Sequence, residues 1–293
     1  MKNSIASLTA SLQRVRDVAD DQDSRIADAL RDPKLAGRFE TVRAACTVLL
    51  SGYIESFLGD MARAVASEIA RRSVPFDVLP PSLRIAHFEL GGRLVSSRGR
   101  KKPQPDWVSA SAKDLSQRLA SVTAGVPYEL VWEALADTRA NPRFEVILAF
   151  LGRFGIEKPG RALDRVLPRG KSATELLVDG LIGLRNECAH TGGLTAIPTT
   201  SDLRSYCDVI EELAEGMIAL ISELLAQSPL GVNINAASAE ELQRLPGVGP
   251  TRAQRVVQHR ITHGPYASVE SLKQIDGFTV KLVESLKTHA SIT

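Results

Sequence analysis

Cysteine is scarce in this chain. Cys46, Cys188 and Cys207 are its three cysteines. They lie far apart, their number is odd, and none has the Cys-x-x-Cys spacing of a metal or redox pair. This argues against a disulfide framework and for a reducing compartment. Aromatic residues make up only 5% of the sequence, so a core has to rest on aliphatic side chains between helices. No uninterrupted apolar run approaches the roughly 20 residues of a membrane span, and no apolar block follows the first lysine. Neither sign of charge dominates: 36 Lys and Arg against 34 Asp and Glu leave a formal +2, too little to demand a polyanionic partner. No nucleotide-binding or metal-binding motif is present, so neither a cofactor nor a metal is expected. The expectation is a soluble cytoplasmic protein without membrane contact, long enough for two domains or for one domain and a small module.

What is present is helical periodicity. Ile5, Leu8, Leu12, Val15 and Val18 form one stripe, ended by the acidic break at residues 20–23. Phe39, Val42, Cys46, Leu49, Tyr53, Phe57, Met61, Val65 and Ile69 form a second, over about residues 37–72. Leu203, Cys207, Ile210, Leu213, Met217, Leu220 and Leu224 mark a third, over about 201–227. Steps of three and four give each helix one buried face. Residues 112–121 and 142–154 read as further helices, and 155–169 as loops with a short helical piece. Prolines and paired glycines break the pattern over 73–107, which reads as irregular. The expected architecture is all-α: a helical bundle over residues 1–227, a linker over 228–232, and a small module over 233–293.

The stretch Leu184-Arg185-Asn186-Glu187-Cys188-Ala189-His190-Thr191-Gly192 is the first place to look for chemistry. It closes a helix beginning near Ser172, with Leu177, Leu181, Leu184 and Cys188 as its apolar stripe. Asn186 and His190 are four apart and share a face; Arg185 lies one position round. A cation, an amide and an imidazole at one helix end can hold a phosphate and move a proton near neutral pH. The alternative is a histidine favoured near a helix C-terminus by the dipole alone. Glu55, a carboxylate among apolar neighbours, is either a member of such a site or a residue on the wet face. Arg93, Arg98, Arg100, Lys101 and Lys102 either follow a nucleic-acid backbone or form a solvated loop.

The module over 233–293 has the most specific signal. Over 231–293 seven cations face five anions, so this stretch carries the whole net charge of the chain. Ser238-Ala239-Glu240-Glu241 is a capping box. Its helix ends at Leu245-Pro246-Gly247-Val248-Gly249, and Pro250 suits the first turn of the next helix. A related unit follows, with Ser268 starting a helix and Ile275-Asp276-Gly277-Phe278-Thr279 turning it. Each glycine-containing bend leads into a helix start, where outward N–H groups and partial positive charge suit a phosphate. Pro246, Gly247, Val248, Gly249, Thr251, Arg252, Arg255, Gly277 and Thr279 are the candidate DNA-binding residues. Nothing here is shaped to read base edges, so binding should be sequence-independent and salt-sensitive. A helical module for protein contacts is the other reading.

This module resembles the tandem helix-hairpin-helix of the ComEA-like type. The resemblance rests on Val232-Asn233-Ile234-Asn235-Ala236-Ala237, Glu241-Leu242, Leu245 to Gly249, Ala253, Arg260, Gly264-Pro265-Tyr266 and Leu272. It implies double-stranded DNA bound through its backbone. Thr279 departs from the pattern, which usually has glycine there. The body resembles a HEPN domain, most like the RiboL-PSP and MAE-type groups. Its carrying residues are Ser51-Gly52-Tyr53-Ile54-Glu55-Ser56-Phe57, Asn141-Pro142-Arg143-Phe144, Phe154-Gly155-Ile156, and Arg185-Asn186-Glu187-Cys188-Ala189-His190. The resemblance implies a homodimer with two such motifs facing each other, and metal-independent RNA cleavage by Arg185, Asn186 and His190. A setting in phage defence or a toxin-like stress response is the expectation, with an antitoxin or defence-system partner. The alternative is a non-catalytic dimeric DNA-binding adaptor or DNA-repair accessory protein.

Overall fold

A computed structural model describes residues 2–72, 74–99, 110–123, 128–138, 141–191, 196–227, 231–287 and 289–292. The helices in chain order are α1 (Lys2–Ser24), α2 (Ile26–Ala29), α3 (Pro33–Arg71), α4 (Pro81–Gly99), α5 (Ala110–Ser121), α6 (Trp132–Leu135), α7 (Phe144–Arg153), α8 (Pro159–Val166), α9 (Gly170–Thr191), α10 (Thr200–Ala226), α11 (Ala239–Leu242), α12 (Pro250–His263) and α13 (Val280–Leu286). Two-residue strands β1 (Val232–Asn233) and β2 (Ala290–Ser291) pair in parallel, Val232 opposite Ala290 and Asn233 opposite Ser291. The all-α expectation holds. The chain divides into two compact units, Met1–Ala64 with Ala136–Leu220, and Val65–Leu135 with Ile221–Thr293.

In the first unit α1 buries Leu8, Leu12, Val15 and Ala19, and α10 buries Leu203, Cys207, Ile210, Leu213 and Met217. Arg16 donates to Asp208 and to Glu211 at 2.8 Å, and Arg204 to Asp20 and Asp23 at 2.6 Å. The acidic run at 20–23 therefore does not break α1. Arg204 offsets its charge, and the helix continues to Ser24. Exposed pairs of this kind add little stability; they mainly set how α1 lies against α10. On α3, Cys46, Leu50, Ile54, Phe57 and Leu58 are buried, but Val42 and Leu49 are 41% and 49% exposed. A stripe stepping strictly by three and four drifts by ~20° per heptad round a straight helix. The buried face therefore passes to Leu50 and Ile54, leaving Val42 and Leu49 on an uncovered ridge. α9 shows the same offset: Thr174, Val178, Leu181 and Ile182 are fully buried, while Leu177, Leu184 and Cys188 are only half-buried.

In the second unit part of the stretch read as irregular is helical. Pro81 opens α4 where a missing N–H costs nothing. Gly91 lies inside α4 because a Cβ there would stand 2.6 Å from Leu119 Cδ2 on α5. Glycine thus brings the two helices together, at a helix-propensity cost of about 1 kcal/mol relative to alanine. His87 of α4 is fully buried; its Nδ1 accepts from the Val131 N–H at 3.3 Å. Burial, aided by the nearby Arg118 charge, pushes its pKa down to about 4.

The tail packs its own core from Ile234, Leu242, Leu245, Val248, Ala253, Val256, Leu272, Val283 and Leu286. The capping box forms: Ser238 Oγ accepts from the Glu241 N–H and the Glu241 carboxylate from the Ser238 N–H. Gly231 lies against the chain beside β2, where a Cβ would be 2.3 Å from the His289 carbonyl oxygen. Within this unit the end of α3 meets α11. Glu68 accepts from Arg71, Arg72 and Arg244, and Arg71 also pairs with Glu241. Burial pushes the Glu68 carboxyl up, but the arginine hydrogen bonds outweigh it and bring it down to about 2.

Candidate functional site

The last two turns of α9 place Arg185, Asn186 and His190. The buried row through Val178, Leu181 and Ile182 fixes the helix rotation and leaves Arg185 and Asn186 half-buried, with His190 exposed. Arg185 Nη1 donates to Asn186 Oδ1 at 3.1 Å. This bond occupies the amide oxygen and leaves the other guanidinium N–H groups for an anion. His190 stands one turn further along the same face, about 6 Å by helix rise. The structure therefore joins Arg185 to Asn186 directly, and His190 to Asn186 by shared face. Cys188 is half-buried beside them and reduced.

Residues on a single line along α9 lead to His190: Ala173, Leu176, Gly180, Gly183 and Glu187. Leu176 is 74% exposed, and a Cβ at Gly180 or Gly183 would meet nothing within 4 Å. The Val42 and Leu49 ridge of α3 is likewise uncovered. Within the stretches that carried the sequence resemblance, three buried polar atoms have no hydrogen-bond partner among the described residues: Ser51 Oγ, Glu55 Oε1 and Asn141 Oδ1. Ser51 and Glu55 are one turn apart on α3. Sequence reading singled out Glu55 and not its serine neighbour; the spacing of four was the available signal.

In the tail, turn one runs from Leu245 to Gly249 and turn two from Ile275 to Thr279. Gly247 and Gly277 have φ of 73° and 91°, a left-handed conformation that favours glycine. Turn one leads into α12 with Gly249 at the N-cap and Pro250 at the first position, and no side chain caps it. Pro246, Gly247, Gly249 and Thr251 are exposed; the Val248 side chain is in the core, so only its backbone can face a ligand. Turn two is capped: Thr279 Oγ1 accepts from the Leu282 N–H at 3.2 Å.

Arg252 and Arg255, read from sequence as facing phosphates, are both engaged inside the module. Arg252 Nε donates to the Gly277 carbonyl at 2.8 Å and Nη1 to the Gly247 carbonyl at 2.7 Å. Arg255 Nη1 donates to the Asp276 carbonyl and pairs with its carboxylate, both at 2.8 Å. The bonds from α12 to turn two span 25 and 21 residues and have no sequence signature. Sequence reading also missed the stacked rings of His259, His263 and Tyr266, with centroids 4.4 Å and 5.3 Å apart. Of the basic cluster near the end of α4, Arg93 is exposed; the Arg98 side chain and Arg100, Lys101 and Lys102 lie outside the described residues. Among the described residues, His, Cys, Asp and Glu side chains form no group of three or more able to hold a metal ion. No described helix is long and apolar enough to cross a membrane.

The RiboL-PSP-HEPN family model matches residues 10–223, and the helix-hairpin-helix motif model matches residues 227–291. The chain belongs to the RiboL-PSP-HEPN family and carries a helix-hairpin-helix motif after the family domain. Curated relatives match short stretches of this chain. ComE operon protein 1 of Bacillus subtilis is 34% identical over 61 residues, 21% of this chain and 30% of that protein. The kinesin-like protein KIF22 of Mus musculus is 44% identical over 52 residues, 18% of this chain and 8% of that protein. An uncharacterized protein of Haemophilus influenzae is 40% identical over 47 residues, 16% of this chain and 42% of that protein. The chain thus spans less than half the length of these relatives. No solved structure matches.

Proposed function

We propose that this chain is a homodimeric, metal-independent endoribonuclease with a tail that grips double-stranded DNA without reading its sequence. The observation that carries the reading is the Arg185–Asn186 pair with His190 one turn further on the same open face, in a member of the RiboL-PSP-HEPN family. His190 takes the proton from a ribose 2′-OH, or returns one to the leaving 5′-oxygen. The 2′-oxygen forms a bond to phosphorus and the bond to the 5′-oxygen breaks, leaving a 2′,3′-cyclic phosphate and a 5′-OH. Arg185 neutralises charge gathering on the phosphoryl oxygens, and Asn186 orients the phosphate. The need for a 2′-OH restricts cleavage to RNA.

The uncovered line from Ala173 through Leu176, Gly180 and Gly183 to His190 supports the dimer, because a second copy packed there brings two His190 side chains to one cleft. The domains are the helical body at 1–227, the linker at 228–232 and the tail at 233–293. In the tail, the open turn from Pro246 to Gly249, with Thr251, offers backbone donors to phosphate. Phage defence or a toxin-like stress response in the cytoplasm is the setting, with an antitoxin or defence-system partner.

The test incubates the full chain, Arg185→Ala and His190→Ala with labelled RNA and labelled DNA in EDTA, with and without added duplex DNA. RNA cut by the wild type alone, with cyclic phosphate ends and intact DNA, supports the nuclease. RNA left intact by wild type under both conditions sinks it and leaves a dimeric DNA-binding adaptor.

A further inference from the structure

The two hairpin turns differ in what they offer a phosphate. Turn one is exposed, and no side chain caps the helix that follows it. Turn two has its cap filled by Thr279 and carries Asp276, 90% exposed, whose negative charge faces solvent beside Arg255. Arg252 lies between them. Its backbone is in the first turn of α12, and its half-buried guanidinium spans both left-handed glycines, bonding the Gly247 and Gly277 carbonyl oxygens. A Cβ at Gly277 would stand 3.5 Å from Arg252 Nε and 3.2 Å from Arg255 Nη1, so turn two rests directly on these arginines.

We propose that Arg252 is a positioning residue for DNA binding: it braces turn one against turn two and does not itself take a phosphate. The inference rests on the DNA-binding reading of the tail. A planar guanidinium has donors in a fixed fork and can hold two carbonyl oxygens at once; an ammonium of equal charge is a point donor and cannot span them. The second hairpin thus acts as a buttress for the first. Its capped turn and its exposed carboxylate no longer weaken the module, because phosphate is held at turn one.

Charge and geometry are separated by Arg252→Lys. With duplex DNA of random sequence, titrated by fluorescence anisotropy across a salt series, the full-length Arg252→Lys chain is expected to lose about tenfold in affinity or more. Arg252→Ala is expected to lose a similar amount. A residue that touches phosphate directly would instead be rescued by lysine, with the salt slope kept, while alanine lowers the slope by about one; that pattern overturns the proposal. The wild-type chain gives a second measurement that needs no variant. In ¹H–¹⁵N spectra the Arg252 Nε–H resonance should stay in place when DNA is added, while the Gly249 and Thr251 amides shift. An Arg252 side-chain resonance that moves as far as those amides also overturns it. If wild type binds no DNA at all, it is the DNA-binding reading that fails, and the two failures are told apart in one titration.

Discussion

At the end of α9 the candidate catalytic groups share the Arg185–Asn186 hydrogen bond, whereas in the tail side chains on α12 bond both hairpin turns. The Asn235 side chain alone makes three bonds, donating to the Tyr266 and Ile292 carbonyls and accepting from the Tyr266 N–H. Arg252 and Arg255 add the bonds between turns. The tail is therefore a finished surface. Its backbone donors are pre-positioned, and binding need not spend free energy on ordering them. The α9 end is an unfinished one. Its imidazole is exposed, and so are Ala173, Leu176, Gly180 and Gly183 on the line leading to it.

The contrast can be broken at several points. The largest effect expected is at His190 and Arg185: either alanine variant should lower RNA cleavage by about 10²-fold or more, measured from single-turnover rates. Equal rates in wild type and variants would move the chemistry elsewhere. Next, removing residues 231–293 should abolish salt-sensitive DNA binding and leave the helical signal of the remaining chain in circular dichroism. Unchanged affinity would shift the DNA site to Arg93 and its basic neighbours. Third, Leu176→Asp places a charge on the uncovered face of α9. It should convert a dimer to a monomer in light scattering and take RNA cleavage with it, without lowering the melting temperature of the monomer.

Acid should then act on the second unit in two windows. His87 and Glu68 both have folded-state pKa values depressed below their ordinary values, from 6.5 to about 4 and from 4.5 to about 2. For both, the stabilisation is present above the ordinary value and is lost as pH falls through the folded one. Denaturant midpoints should decline first between pH 6.5 and 4, and again below 4.5. His87→Leu should flatten the first decline only. The smallest effect is expected from Thr279→Gly, which removes the hydroxyl cap of α13 and costs only a few tenths of a kcal/mol. DNA affinity that rises severalfold in this variant would show that turn two grips phosphate after all.

The long helices were legible because one apolar row, repeated over many turns, survives small errors of phase. Their outer limits and the burial of Cys46, Phe57, Met61, Cys207 and Met217 follow from that row. The exposure of Val42 and Leu49 does not, since a seven-residue step drifts round a straight helix. α4 was hidden by Gly91 and Gly92, residues that usually break helices; Gly91 lets α5 approach, a fact held by Leu119 and not by the local sequence. The hairpin turns were legible because their chemistry is local: a positive-φ glycine, a proline at the first helical position, and a capping box. That Asn186 and His190 share a face of α9, with Arg185 one position round, was legible from spacing alone. The engagement of Arg252 was not, because its partners come from the other hairpin.

The parallel pairing of β1 with β2 has a further consequence. It sets Val232 beside Ala290, so the strand that opens the hairpin module and the strand that closes it lie at one pole, locked by the backbone contact at Gly231. With its first and last strands at one pole, the module can be carried at a single point of attachment in the sequence. That suits a part that follows a HEPN domain here and is similar to a stretch of ComE operon protein 1.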